Sequence, residues 1–314
     1  LDHKSSKEIF GVGEGKQYVP VIRGLHLSLD SLEHEYSNIP VTNIRAIGGN
    51  QIDGVFGIEL FKPYIVCINF DSSYLKIIYD TANFIAPALY DSVKLFYLGK
   101  SKTVIKCKAS LTDGILVSGW TILDLGSGGS LTLTSVIAKE YGLDSAISEK
   151  YQVTRKLGGY GGRTSSWYFR ADSIMFGNTC LNEPIMNYSV DEKGYLSFWG
   201  ILGLMGTKVL ERYNIIFDFY NHRFYYTPNE TFNTPFKGNM TGFHSKWTQI
   251  DSSRFLRVYN VIVGSSADHA GIKKGDLITH LNGIEISQFL SQRFPQISQF
   301  LPKIFSYNPK YNFH

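Results

Sequence analysis

The feature that most constrains this chain is a repeat inside it. Phe10-Gly-Val-Gly-Glu-Gly-Lys16 and Leu157-Gly-Gly-Tyr-Gly-Gly-Arg163 each place an apolar residue, a glycine-rich tip and a basic residue in one order, at an offset of 147. Gly54-Val-Phe-Gly57 pairs with Gly200-Ile-Leu-Gly203 at an offset of 146, and each is followed by a short stretch of helical character and then a strand-turn-strand. Those hairpins, Ile65 to Tyr79 and Ile215 to Tyr226, set polar turn residues between β-branched and aromatic runs. Landmarks recurring in one order at one spacing predict two tandem copies of a β-rich lobe across residues 1–232.

Composition agrees with sheets. A chain of 314 residues with 43% hydrophobic content can bury two or three packed units, and its 21 Phe and 20 Tyr favour strands over a helical bundle. The net charge of +4 comes from interspersed signs without a basic block, so no nucleic-acid partner is expected. No apolar run nears the roughly 20 residues that cross a bilayer, so no transmembrane segment is expected. Cys67, Cys107 and Cys180 lack a CxxC spacing and read as buried thiols, neither a disulfide framework nor a metal site. No metal and no cofactor are expected. The glycine-rich Gly11, Gly13 and Gly15 lack the strand-then-helix setting of a phosphate loop, and the scattered His residues support no Ser/His or Cys/His pair.

The chemistry points to one carboxylate. Val104 to Lys108 and Ile115 to Leu123 read as strands joined through Asp113-Gly114, and the second runs directly into Asp124. Leu125-Gly-Ser-Gly-Gly-Ser130 follows, then a short helix opened by Thr134 and closed by Gly142-Leu143. Backbone N–H groups and hydroxyls in such a loop hold a carboxylate without blocking a substrate. Peptide hydrolysis without metal or covalent nucleophile takes two such groups. About 3 Å apart they cannot both ionise, so they share a proton and position a water. A duplicated lobe is a natural source of that pair.

On these residues the second copy resembles a retropepsin-type aspartic protease lobe. Asp124-Leu-Gly-Ser127 is similar to the Asp-Thr/Ser-Gly motif, residues 158–162 to the glycine-rich flap, and Ile201-Leu-Gly203 to the hydrophobic-hydrophobic-Gly element that packs beside the catalytic loop. The resemblance covers 90–227, and more faintly 5–80. It implies Asp124 as a catalytic residue, Gly126 and Ser127 as catalytic-loop positions, and Gly158, Gly159, Tyr160, Gly161 and Gly162 as a flap closing over substrate. Gly11, Gly13 and Gly15 are the matching first-lobe flap. Two departures stand out. Leu125 replaces the residue whose hydroxyl ties the two catalytic loops together, and projecting Asp124 back by the offset lands some 23 residues before Leu1. Neither Asp2 nor Asp53 falls at the matching place.

Beyond Pro235 the pattern changes. A strand at Val258 to Val263, Gly264-Ser-Ser-Ala-Asp-His-Ala-Gly-Ile272, Gly275-Asp276 and Asn282-Gly283 resemble a PDZ domain of the bacterial type. That family captures a peptide C-terminus by adding it as a strand, and Phe255, Leu256, Arg257 and Val258 are the expected border of the groove. The expected fold is therefore mainly β: two retropepsin-like β-barrel lobes in tandem, over 1–85 and 86–232, followed by a PDZ-like α/β domain over 233–314. The resemblance implies an exported, periplasmic or envelope-associated endopeptidase acting on peptides or unfolded proteins. The alternative is an inactive pseudo-protease that binds peptides.

Overall fold

The computed structural model describes residues 6–13, 15–29, 32–44, 54–155, 162–239, 241–251 and 253–286. The chain divides into two compact units, Leu1–Lys150 with Thr154–Phe236, and Tyr151–Val153 with Lys237–His314. Strands dominate both.

The first unit opens with β1 (Ser6–Phe10), β2 (Lys16–Leu29) and β3 (Leu32–Pro40), an antiparallel sheet in that order. Phe10 faces Lys16 across the β1–β2 hairpin, so Gly11, Gly13 and Gly15 lie at its tip. A one-turn helix, α1 (Ile58–Phe61), leads to the hairpin β4 (Ile65–Asn69) and β5 (Tyr74–Ile78). After β6 (Asp91–Lys94) and β7 (Phe96–Leu98) come β8 (Lys102–Ser110) and β9 (Leu116–Leu123). The β8–β9 turn has positive φ at Asp113 and Gly114, 55° and 76°, which these two residue types tolerate and which matches the twist of the paired strands.

Next come β10 (Leu131–Leu133), α2 (Ser135–Glu140) and α3 (Leu143–Ala146). Thr134 caps α2, its hydroxyl accepting the Ile137 N–H at 3.3 Å, and Gly142 leaves the helix in the left-handed region at φ 58°. Past β11 (Tyr151–Arg155), whose first three residues group with the second unit, follow β12 (Thr164–Arg170), β13 (Ser173–Phe176), β14 (Thr179–Asn182) and β15 (Ile185–Ser189). The unit closes with β16 (Gly203–Met205), α4 (Thr207–Leu210), β17 (Tyr213–Asp218) and β18 (Arg223–Pro228).

Strand register recurs along the chain. Ile22 faces Ile39 and Leu29 faces Leu32; 147 residues on, Phe169 faces Met186 and Phe176 faces Thr179. Past these hairpins the offset becomes 149. Gly57 precedes α1 and Gly206 precedes α4, both in extended backbone. The following turns match at the same spacing. Asn69 Oδ1 accepts the Ser72 N–H at 2.7 Å and Asp218 Oδ1 accepts the Asn221 N–H at 2.8 Å, with φ 54° at both Ser73 and His222. The sequence pairs Gly57 with Gly203; in the structure Gly206, three residues on, is the glycine that precedes a helix as Gly57 does.

The two hairpins share one sheet. Its order is β5-β4-β17-β18-β6, with β4 and β17 antiparallel at the centre, Ile65 opposite Asp218 and Ile68 opposite Ile215. Asn214 reinforces the join, accepting the Phe70 N–H at 2.9 Å and donating to Asp71 Oδ2 at 2.8 Å. Every residue of β17 is buried. A second sheet runs β12-β15-β10-β16-β9-β8-β13-β14, with β7 added on β8. Leu131, Leu133, Ile174, Tyr213, Phe224 and Tyr226, all at most 1% exposed, belong to the core that these strands enclose.

The second unit contains β19 (Phe243–Ile250), β20 (Ser253–Val261), α5 (Ser266–His269) and β21 (Leu277–Ile278), then the small hairpin of β22 (His280–Leu281) and β23 (Ile284–Glu285). Asn282 and Gly283 turn that hairpin with φ 50° and 77°. The Asp276 carboxylate accepts the Lys273 N–H at 2.9 Å, and Ser265 caps α5 through the Asp268 N–H.

Two expectations need correction. Cys107 is buried and Cys67 half-buried, but Cys180 is exposed, because it sits on the edge strand β14 with its side chain directed away from the core. Phe255 to Val258 do not border an open strand edge. They lie on β20, the middle strand, which pairs with β19 along its length and with β21 at Leu256 and Arg257. Leu256 and Val258 are core residues, 5% and 1% exposed.

Candidate active site

Asp124 stands where three buried strand ends meet. β9 delivers it and β10 leaves the loop that follows, yet these two are not neighbours: β16 lies between them, parallel to β9 and antiparallel to β10. All residues of β10 and β16 are buried, as are the last three of β9, so the platform is fixed on both faces. The Asp124 N–H donates to the Met205 carbonyl at 2.9 Å.

The loop is clamped from the far side by α4. Gly206, Thr207 and Lys208 donate backbone N–H groups to the carbonyls of Ser130, Ser127 and Gly129 at 2.8, 2.8 and 3.1 Å, and the Thr207 hydroxyl donates to Ser127 at 3.1 Å. Only glycine allows so close an approach at 206, since a Cβ there would lie 2.5 Å from the Ser127 carbonyl oxygen.

Asp124 itself is partly accessible. Its Oδ1 accepts the Gly126 N–H at 2.9 Å. Burial pushes its carboxyl above the ordinary value, while hydrogen bonds from Gly126 and Ser127 and the charge of Lys102 act in the opposite direction. It opens into a cleft of about 630 Å³. Residues before 90 supply one wall, among them Ile9, Val12, Phe56 and Ile58, and Leu123, Leu125, Leu204 and Phe217 supply another. Polar groups are few, chiefly Glu8, Lys102, Asp124 and Tyr195.

The expected first-lobe flap reaches this cleft. Gly11 lines it, its carbonyl accepts the Tyr195 N–H at 3.1 Å, and Val12 packs with Leu196, Ile201 and Leu204. Gly13 follows in the same tip, close against Gly194, and Gly15 is exposed at its base. Of the second flap, Gly162 is described, with φ 82°, whereas Gly158, Gly159, Tyr160 and Gly161 lie outside the described residues. Gly126 lines the cleft, while Ser127 faces Gly206. Glu8, Lys102 and Tyr195 escape sequence reasoning. The only local hint is charge beside apolar strand residues, as at Lys102 before Val104-Ile105.

Among the described residues no cluster of three or more His, Cys, Asp or Glu side chains has the spacing of a metal site, and no helix is long and apolar enough to cross a membrane. The decisive comparison concerns the second unit. Residues 257–301 match the PDZ domain. No curated protein matches the chain. Among solved structures, the crystal structure of a retropepsin-like aspartic protease from Rickettsia conorii is similar at 13% identity, over 46% of this chain and 95% of that chain, with a TM-score of 0.29. A likeness that faint carries no weight for fold or chemistry.

Proposed function

We propose that this protein is an aspartic endopeptidase in which Asp124 is one half of a catalytic dyad, and that its two lobes are copies of one ancestral unit. The observation that carries the reading is the position of Asp124: a carboxyl with raised proton affinity, on a rigid three-strand platform, opening into a largely apolar cleft walled by both halves of the chain. In a dyad the ionised carboxylate takes a proton from water as its oxygen attacks the peptide carbonyl carbon, and the protonated partner hydrogen-bonds the carbonyl oxygen. Proton return to the nitrogen releases the two fragments.

No residue of this sequence is assigned as the partner carboxylate; in this reading its loop packs beside Gly54 to Phe56, which correspond at an offset of 149 to β16. Leu204 and Met205 are 5% and 0% exposed between β9 and β10, whereas Val55 and Phe56 are 73% and 56% exposed. The PDZ domain would hold a peptide C-terminus, by a surface other than the paired strand β20. An exported or envelope location is part of the same proposal and rests on resemblance alone; fractionation of the source cell tests it.

A second reading is favoured by Leu125. It carries no hydroxyl to tie two catalytic loops, and it is 41% exposed beside Asp124. The protein would then bind peptides without cutting them. Digestion of a mixed peptide library at acidic and neutral pH separates the two, with Asp124→Asn as control. Cleavage abolished by that substitution is the expected result, cleavage that survives it removes the dyad, and binding without cleavage selects the second reading.

A further inference from the structure

Lys102 lines the cleft, and its charge reaches Asp124, but it is neither acid nor base in the dyad. It opens β8, is half-buried, and lines the same cleft as Asp124. Its Nζ lies 4.1 Å from the centroid of the Tyr195 ring. The ring face attracts the ammonium but accepts none of its three N–H donors in the way an oxygen would. Among the described residues no carboxylate lies within salt-bridge distance of Lys102. Glu8, the other acid of the cleft, is engaged by Lys16 at 2.8 Å and by the Tyr18 hydroxyl at 2.9 Å. The remainder of the lining is largely aliphatic and aromatic, which lowers the local dielectric and strengthens any ion pair formed there.

We propose that Lys102 forms an anion subsite of this cleft and takes a carboxylate of the bound peptide, either an acidic side chain or the free C-terminus. Tyr195 holds the ammonium in place, so that little side-chain freedom remains to be lost when the carboxylate arrives. The inference rests on the cleft being the peptide site. It makes Lys102 a specificity-determining residue.

Binding by the Asp124→Asn chain tests this without turnover. Three peptides of one apolar sequence are compared by fluorescence anisotropy: an uncharged form blocked at both ends, the same with one Glu, and the same with a free C-terminal carboxylate. At least one acidic form is expected to bind about fivefold more tightly than the uncharged form, and which one does so identifies the source of the carboxylate. Adding Lys102→Met is expected to abolish that preference, read as the ratio of acidic to uncharged affinity, and Lys102→Arg to keep it. Equal binding of all three peptides, or a preference that survives Lys102→Met, overturns the subsite and leaves the peptide cleft standing. Failure of every peptide to bind overturns both.

Discussion

Asp124 and Gly206 act through one loop: burial raises the proton affinity of the first, and the second lets α4 press against the loop that follows it. Burial raises the proton affinity of Asp124 in the folded chain above that in the unfolded one. The folded state therefore binds more protons, so the contribution of this group is present at low pH and is lost as pH rises from the ordinary carboxylate range through the raised value. Asp124→Asn removes that loss while keeping an acceptor for the Gly126 N–H. The variant is expected to melt higher than the parent near neutral pH, with the gap closing toward pH 3, as thermal unfolding at the two pH values would show. In the dyad reading its kcat/KM falls by at least about 100-fold. Gly206→Ala forces a methyl into the Ser127 and Gly129 carbonyls. A cost of about 1–3 kcal/mol in denaturant unfolding is expected, with activity falling as the loop shifts.

Short elements around the loop show what local pattern can and cannot reveal. The Thr134 cap satisfies an N–H that α2 cannot satisfy for itself, and Thr134→Ala is expected to cost about 1 kcal/mol by urea titration. That cap, the Asp113-Gly114 turn and the Asn282-Gly283 turn were legible in the sequence, because each is set by residues within four positions of one another. The resemblance places Ile201-Leu-Gly203 beside the loop, but the strand β16 that Gly203 opens was not legible. Its Gly-Leu-Met has no period of its own, and its place between β9 and β10 depends on pairing with residues some 70–80 positions earlier. For the same reason Asp124 is singled out by its sequence neighbours, whereas Lys102 and Tyr195, which share the cleft with it, are not. The resemblance to a PDZ domain implies a groove bordered by Phe255 to Val258, but β19 pairs with this strand on one side and β21 pairs with Leu256 and Arg257 on the other.

The two units have separate cores: Phe243, Val258 and Ala267 form one cluster, and the cluster containing Leu131, Tyr213 and Phe224 is another. Calorimetry is expected to resolve two transitions, and Val258→Ala to lower one of them, by about 2 kcal/mol, while leaving the other in place. A single transition moved as a whole by that substitution would contradict it. The shared sheet of the first unit has a different consequence, one of timing. β4 finds its central partner β17 only after about 150 more residues have been made, roughly 7–30 s of synthesis at about 5–20 residues per second. Until then Ile65 to Asn69 is an open, apolar edge on a nascent chain, able to pair with a neighbour's strand. The join that sets the two walls of the cleft is thus also the stage at which a growing chain is most exposed to aggregation, and at which a chaperone that shields strand edges would most improve its yield.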